Sequence, residues 1–303
     1  MLTIDDMIRV LAETPAWHNP GSLAFAVLDD ACGRAFDAAR HEPGAAEYYE
    51  TTSFGTVHFP LKSMGAVSSY DIFRSTHELI LFSFYLANRR RYRRVVDIGG
   101  NIGLHSIIMS RLGWTVTTFE PDPVHVDLLR RNLVLNGIAI GDSAEVGMVC
   151  LKTAAVAQTD RDCEFVRVLG NTTSSHLAGA KDHPYGPLER FTVKSVSAVS
   201  ALAGADFVKV DAEGAERDIV EALGRHDFAR MEMMLEVGGD RAATAIFDHA
   251  NSIGVNIFSQ LIGWRRASTP ADMPKSYKDG SVFLSTCEVM PWGDGSDSRS
   301  GSP

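Results

Sequence analysis

Apolar and polar positions alternate along the middle of the chain in a pattern that predicts strands and helices in turn. Short apolar runs rich in β-branched residues predict buried strands, and a longer segment with helical spacing follows each of them. The strands are predicted at 95–98, 115–119, 206–210 and 231–237. The helices are predicted at 104–112, 124–135, 215–223 and 241–253. This alternation favours an α/β fold, with a mostly parallel sheet and helices on both faces.

The segment before this core has a different pattern. Residues 1–50 predict two helices, the first of which ends at Pro15, and residues 56–59 predict a short strand. Ser75 and Glu78 have the spacing of a capping box, which would open an apolar helix leading into the first core strand.

The second half of the chain interrupts the alternation twice. Residues 163–169 and 190–196 predict an antiparallel pair that flanks a polar loop, and residues 255–261 and 281–285 predict a terminal antiparallel hairpin. A third parallel strand is predicted near 148–151. Three glycines are expected to end helices: Gly137, Gly224 and Gly254.

A glycine turn follows the strand at 95–98. Asp97, Gly99, Asn101 and Gly103 form the pattern D-x-G-x-N-x-G, in which the glycines permit a tight turn and the close approach of a ligand. The next helix begins there and offers free backbone N–H groups. The G-x-G-x-x-G pattern of dinucleotide-binding proteins is absent, which disfavours a nicotinamide oxidoreductase.

A carboxylate, Glu120, ends the next strand, where it suits the two hydroxyls of a ribose. With the glycine turn, it looks like the cofactor half of an S-adenosylmethionine-dependent methyltransferase. Two later motifs resemble the FkbM family of methyltransferases. One runs over 119–123 and continues at Asn132 and 135–137, and the other, 207–216, matches the family run K-[IV]-D-x-E-G-x-E.

The resemblance implies a Rossmann-like methyltransferase fold, S-adenosylmethionine as cofactor, and O-methylation of sugars, polyketides or other natural products. The expected acceptor is a small or sugar-like molecule, whether free, carrier-bound or nucleotide-linked. N-methylation and a cofactor-binding protein without catalysis are the alternatives. We expect an N-terminal extension on the substrate side at 1–74, the methyltransferase domain at 75–290, and a disordered tail at 291–303, because the last eleven residues are only Gly, Ser, Asp, Arg and Pro.

The expected cofactor-binding residues come from these motifs. They are Asp97, Gly99, Gly100, Asn101, Gly103, Glu120, Pro121 and Ala155. Asp97 is expected to reach the amino group of the methionine part, and Glu120 the ribose. The third strand does not end in a carboxylate, so we expect backbone groups near Ala154 and Ala155 to recognise the adenine.

Asp211 and Glu213 are the expected catalytic residues, because they follow a buried strand at the carboxyl edge of the sheet. The alternative for Asp211 is a helix N-cap. His176, on the polar loop, is a third expected catalytic residue, as a proton acceptor, while His183 is expected to be exposed. Asp211, Glu213 and Glu236 could also present oxygen ligands to a divalent cation, but we expect no metal.

Composition narrows the class of protein. The formal net charge is −9, which argues against a general nucleic-acid binder. The basic run 89–94 is expected to be a solvated helix end, with contact to an anionic substrate as the alternative. The four cysteines form no C-x-x-C pair, and the sequence contains no long apolar run. The N-terminal residues are not expected to be a signal peptide, because charged residues interrupt the apolar ones. These features predict a cytoplasmic protein without a membrane span.

Overall fold

The computed structural model of the protein describes residues 2–41, 48–60, 62–143, 145, 148–181 and 186–292. Its helices are α1 (Ile4–Glu13), α2 (Leu23–Ala39), α3 (Ser69–Arg74), α4 (Thr76–Ala87), α5 (Leu104–Arg111), α6 (Pro123–Leu135), α7 (Ala198–Ala201), α8 (Glu216–Glu221), α9 (Arg225–Phe228) and α10 (Asp240–Ser252). Its strands are β1 (Arg40–His41), β2 (Tyr48–Thr51), β3 (Gly55–His58), β4 (Arg94–Ile98), β5 (Thr115–Phe119), β6 (Ala139–Gly141), β7 (Met148–Lys152), β8 (Ala155–Ala157), β9 (Arg161–Val168), β10 (His176–Leu177), β11 (Leu188–Ser197), β12 (Phe207–Val210), β13 (Glu232–Glu236), β14 (Asn256–Ser259), β15 (Arg265–Arg266) and β16 (Ser281–Ser285).

The central sheet has nine strands within the described residues, in the order β15-β14-β16-β13-β12-β4-β5-β7-β6. The six neighbouring strands β13, β12, β4, β5, β7 and β6 pair in parallel. Strand β16 lies antiparallel between β13 and β14. The predicted terminal pair is therefore present, with Asn256 opposite Ser285. The prediction of an α/β fold with a mostly parallel sheet and a terminal antiparallel pair is confirmed.

Helices cover both faces of this sheet because neighbouring strand residues point to opposite sides. In β4, Val95 belongs to the hydrophobic cluster under α4, α5 and α6, while Val96 belongs to the cluster under α8 and α10. In β12, Phe207 and Val208 divide in the same way. Because these strands are parallel, their carboxyl ends lie at one edge of the sheet.

A second sheet of four strands, in the order β10-β9-β11-β8, stands next to that edge within the described residues. The predicted antiparallel pair is its centre, with Leu188 opposite Val168 and Ser195 opposite Arg161. Strand β8 pairs in parallel with β11, and it begins soon after β7 leaves the central sheet. The sequence predicted the pair but not that it builds a separate sheet.

The N-terminal segment shares the hydrophobic core of the central sheet. Ile8 and Leu11 of α1 and Phe36 of α2 are buried in the same cluster as Phe82 of α4. The hydrophobic face of α1 follows from its i, i+3, i+4 spacing, and Thr3 caps it by accepting the Asp6 backbone N–H. Strands β1, β2 and β3 form a small antiparallel sheet beside it.

Two local predictions are wrong. The Ser75 side chain makes no cap hydrogen bond, and Glu78 contacts His105 instead of returning to Ser75. Gly224 does not end α8 but precedes α9, where its N–H donates to Asp227 Oδ2 at 2.8 Å. Gly137 and Gly254, by contrast, have positive φ angles just after α6 and α10.

The first two residues of the predicted tail contact the core. The Pro291 carbonyl accepts a hydrogen bond from Asn88 Nδ2 at 2.8 Å, and the Trp292 ring lies 5.4 Å from the Phe84 ring centroid. Residues 293–303 lie outside the described residues. No helix in the described part of the chain has the length and apolar composition needed to cross a bilayer.

Candidate functional site

A cleft of about 580 Å³ lies beyond the carboxyl ends of β4, β5, β7 and β12. The chain builds the sheet outward from β4 on one side first and returns to its other side with β12. Open α/β sheets bind ligands at such a switch point. The lining residues are Ile98, Gly99, Asn101, Phe119, Glu120, Pro121, His125, Ala154, Ala155, Val156, Phe165, Thr172, Thr173, Ser175, Leu177, Asp211, Ala212, Glu213 and Ala215.

The glycine turn is shaped by contacts within the protein. Gly99 has φ +76°, and a Cβ there would lie 1.8 Å from the Asp211 carbonyl oxygen. Gly103 has φ +95°, and its Cβ would meet Leu129 Cγ at 3.0 Å. Asn101 has φ 49°, the left-handed conformation that asparagine tolerates. A side chain at position 99 or 103 would therefore strike the protein itself, whereas the sequence alone had suggested only a clash with the ligand.

Glu120 is held at the cleft by two backbone donors. Its Oε2 accepts the Asn101 N–H and its Oε1 accepts the Asp122 N–H, each at 2.8 Å. The residue is 5% exposed, and burial raises the pKa of its carboxyl to about 8 against the effect of these two hydrogen bonds. Each carboxylate oxygen keeps capacity for a further donor, which a ligand can supply.

Asn101 contributes a second acceptor. Its Oδ1 is buried and has no hydrogen-bond partner among the described residues, although the residue lines the cleft. An unpaired buried amide oxygen is costly, so it marks a place where a bound ligand would donate a hydrogen bond.

The opposite wall of the cleft is apolar. Phe119, Ala154 and Ala155 come from the central sheet and its exit into β8, and Phe165 and Leu177 come from the second sheet. Apolar side chains from two sheets, lining one cleft with the acceptors of Glu120 and Asn101, suit a planar ring joined to a polyol.

Three of the expected cofactor-binding residues do not line the cleft. Asp97 is fully buried, and its Oδ2 accepts the Ser106 hydroxyl at 2.6 Å, while its Oδ1 lies 3.7 Å from Lys209 Nζ and has no hydrogen-bond partner among the described residues. Gly100 faces Thr118, whose Cγ2 would be 2.3 Å from an added Cβ, and Gly103 faces Leu129. Their role is to shape the turn. The other five expected residues are in the lining: Gly99, Asn101, Glu120, Pro121 and Ala155.

Asp211 lies at the end of β12 and lines the cleft. The alternative role as a helix N-cap is wrong, because Glu216 accepts the N–H groups of Ala212 and Gly214, both at 3.0 Å. Asp211 Oδ2 instead lies 3.4 Å from Lys209 Nζ. Its carboxylate is therefore available to a ligand.

Glu213 also lines the cleft, in a left-handed conformation with φ 52°. Its carboxylate forms an ion pair with Lys181, which lies just after β10. Burial and the charge of Asp211 raise the pKa of Glu213 to about 7. The ion pair joins the second sheet to the end of β12.

His176 is not part of the cleft. It is 2% exposed, its Nδ1 lies 2.9 Å from the Ser174 carbonyl, and only its neighbours Ser175 and Leu177 are in the lining. Side chains alternate along a strand, so His176 points to the other side of β10. We therefore do not retain it as a proton acceptor. His183 lies outside the described residues.

A second cavity of about 350 Å³, which we call the acidic chamber, shares Asp211 with the cleft. Its lining residues are His77, Glu78, Leu81, His105, Lys209, Val210, Asp211, Met234, Leu235, Glu236 and Ser281. His105 Nε2 lies 2.7 Å from Glu78 Oε2, and its Nδ1 lies 3.0 Å from the buried Tyr85 hydroxyl. Sequence reasoning missed Glu78 and Lys209, although a carboxylate opening an apolar helix and a lysine inside a buried strand were visible signals.

The protein environment shifts the pKa values of two ionisable groups in the chamber, Glu236 and Lys209. Burial raises the pKa of Glu236 well above its ordinary value, and the negative charges of Asp211, Glu213 and Glu78 raise it further. Burial opposes the charge of Lys209, but Asp211 and Asp97 raise its pKa above the ordinary value. Within the described residues, no group of three or more His, Cys, Asp or Glu side chains is arranged to hold a metal ion, and this applies to Asp211, Glu213 and Glu236.

One curated protein is similar to this chain in sequence. A curated protein named Methyltransferase 1, from Beauveria bassiana (strain ARSEF 2860), is 28% identical over 148 residues, which are 43% of this chain and 57% of the relative. The chain thus matches little more than half the length of that relative.

Two solved structures are similar at low identity. They are an O-methyltransferase from Bacillus cereus in complex with SAH (11% identity, 67% of this chain, 78% of that chain, TM-score 0.36) and a putative O-methyltransferase from Klebsiella pneumoniae (12% identity, 67% and 77%, TM-score 0.35).

The model of the methyltransferase FkbM domain matches residues 97–253, which include the glycine turn, Glu120 and the motif around Asp211. The resemblance inferred from these motifs is confirmed. Because the match covers just over half of the 303 residues, this chain belongs to the FkbM methyltransferase family.

Proposed function

We propose that this protein is an S-adenosylmethionine-dependent O-methyltransferase that acts on a hydroxyl of a sugar-like or natural-product metabolite. The observation that supports it most is Glu120. Two backbone amides hold this buried carboxylate in a cleft where the glycine turn and an apolar wall meet. Such a site suits a nucleoside, whose ribose donates two hydrogen bonds and whose base is a flat ring.

The residues present fit the cofactor. Glu120 and Asn101 offer acceptors for the ribose and its surroundings, and Asn101 Oδ1 is without a partner in the described part of the chain. Ala154, Ala155 and Phe119 form the apolar slot for the adenine. When bound, S-adenosylmethionine supplies a methyl group that its sulfonium already activates, so positioning of the acceptor is the protein's main task.

Asp211 is the proposed residue beside the acceptor. It lies where the cleft and the acidic chamber meet, and its Oδ2 is 3.4 Å from Lys209 Nζ. A carboxylate at this point can orient an acceptor hydroxyl and take its proton. Glu213 is less available because Lys181 is bound to it, so we assign it a supporting role.

Calorimetry tests the cofactor assignment. The protein is expected to bind S-adenosylhomocysteine and not NAD, and Glu120→Ala is expected to weaken the binding while the protein stays folded. Binding of NAD alone would instead favour an oxidoreductase.

Turnover needs a separate experiment. The protein is incubated with a metabolite extract and cofactor carrying an isotopically labelled methyl group, and labelled products are identified by mass spectrometry. The label is expected on an oxygen. A label on nitrogen would establish the N-methyltransferase alternative, and cofactor binding without any labelled product in extracts from diverse sources would favour a binding protein.

A further inference from the structure

The acidic chamber is not explained by the cofactor residues assigned above. It lies between α4, β12, β13 and β16, and it meets the cleft at Asp211. Its walls combine apolar side chains, Leu81, Met234 and Leu235, with several ionisable ones. The chamber therefore has the mixed apolar and ionisable lining of a ligand site, and it opens to the cleft at Asp211.

Carboxyl groups outnumber lysine and arginine side chains in the lining of the chamber. Glu78, Asp211 and Glu236 line it, whereas Lys209 is the one lysine or arginine among its lining residues, all of which are described. Burial lowers the pKa of His77, which keeps that ring neutral near pH 7. His105 is already engaged by Glu78 and Tyr85. Burial and the neighbouring carboxylates raise the pKa of Glu236, so a cation placed beside it would favour its ionised form, which accepts hydrogen bonds.

Lys209 supplies a second, independent indication of a ligand. Its side chain is only 6% exposed, yet the nearest oxygens to its Nζ are Asp211 Oδ2 at 3.4 Å, the Gly99 carbonyl at 3.5 Å and Asp97 Oδ1 at 3.7 Å. Charge-assisted hydrogen bonds of an ammonium are ordinarily about 2.7–2.9 Å long. This buried cation is therefore loosely held and has capacity to donate to a ligand oxygen.

We propose, on the basis of the proposed function, that the acidic chamber binds the methyl acceptor and that the acceptor presents there a protonated amine beside a hydroxyl, as an amino sugar does. The ammonium would donate to the carboxylates of Glu78 and Glu236. The hydroxyl oxygen would accept from Lys209, and its hydrogen would face Asp211. The arrangement selects against an acceptor with a phosphate or carboxylate at this point, because like charges repel in a poorly solvated cavity.

Matched probes test the charge preference. Glucosamine, glucose and glucose 6-phosphate share one ring and carry positive, neutral and negative charge. Their affinities are measured by ligand-observed NMR on protein saturated with S-adenosylhomocysteine. Glucosamine is expected to bind at least tenfold more tightly than glucose, and glucose 6-phosphate more weakly than glucose. Equal affinities for glucosamine and glucose, or tightest binding of the phosphate, would overturn the proposal.

The cofactor provides the second arm, because it also carries an ammonium group. If saturation with S-adenosylhomocysteine displaces glucosamine, the chamber belongs to the cofactor and the proposal fails. If S-adenosylhomocysteine itself does not bind, the proposed function fails instead, and glucosamine binding is then measured without it. The two failures are therefore distinguishable.

Two variants locate the probe. Leu81→Trp on α4 and Ser281→Ile on β16 add volume to the lining of the chamber, and neither residue lines the cleft. Each is expected to weaken glucosamine binding at least tenfold and to leave the affinity for S-adenosylhomocysteine within about twofold. Val199→Trp, at a residue that is 53% exposed and outside both cavities, is the control. Unchanged glucosamine affinity in both folded variants would place the probe elsewhere and refute the proposal.

Discussion

The affinity for the cofactor should depend on the protonation of Glu120. Burial raises the pKa of this carboxyl to about 8 in the empty cleft, so it is mostly protonated at pH 7. A ribose that donates two hydrogen bonds favours the ionised carboxylate. Binding then requires loss of a proton, and one unit of pKa corresponds to about 1.36 kcal/mol, or tenfold in affinity.

The expected result is that S-adenosylhomocysteine binds more tightly as the pH rises. Between about pH 6.5 and pH 8 the affinity should increase on the order of tenfold, and it should level off above the pKa. The carboxyl pKa is raised in the folded protein, so its contribution to folding is complete below its unfolded value near 4.5 and is lost as the pH rises through about 8. The thermal stabilisation by the ligand should accordingly grow over the same range.

Calorimetry at several pH values, in two buffers with different ionisation enthalpies, measures both the affinity and the proton released. Glu120→Ala is the matched variant. It should lose about 1–3 kcal/mol of binding free energy, the cost of a lost charge-assisted hydrogen bond. The affinity that remains should change little with pH, because the variant lacks the carboxyl that titrates. An identical pH dependence in the wild type and in Glu120→Ala would refute the ribose assignment.

Three further predictions concern other parts of the site. Asp211→Asn should lower kcat about 10²–10⁴-fold, because a positioned carboxylate is lost, while the affinity for S-adenosylhomocysteine stays within about threefold. The variant should fold, since Glu216 and not Asp211 accepts the N–H groups before the following helix. Steady-state kinetics and calorimetry measure the two effects. Gly99→Ala should lower the Tm far more than Gly113→Ala. Both glycines have positive φ, but only a Cβ at position 99 would meet a backbone atom, at 1.8 Å. Thermal unfolding of the two variants measures the difference, and equal losses of Tm would contradict the clash. Turnover should survive exhaustive EDTA treatment, and restoration by Mg²⁺ or Mn²⁺ after a chelator-induced loss would contradict this.

The parts of the fold that sequence reasoning found are those that depend on neighbouring residues. The strand at 95–98, the glycine turn and the helix after it are specified by an apolar run, positive-φ positions and a helix start within a dozen residues. Glu120 could be predicted in the same way, because a residue at the end of a buried parallel strand lies at the edge of the sheet where ligands bind.

The parts that it missed depend on packing between distant segments. Glu78 and Lys209 are 131 positions apart and meet only because α4 packs beside β12. Asp97 was expected at the ligand, but the adjacent Ser106 hydroxyl holds it inside the sheet. His176 was expected in the site, and the two-residue pairing of β10 with β9 decides which way it points. A polar residue near a motif does not reveal its direction until the partner strand is known.

The close contact between Gly99 and the Asp211 carbonyl couples the conformations of the glycine turn and of the loop after β12. The glycine turn shapes the cleft and the loop after β12 borders the chamber, and there is no room for a side chain at position 99 between them. Substitutions in the two loops should therefore be strongly non-additive. Attempts to change the acceptor by remodelling 211–214 would disturb the glycine turn as well. The wall formed by α4 is free of that constraint, so it is the place where related enzymes can diverge in acceptor while keeping one cofactor.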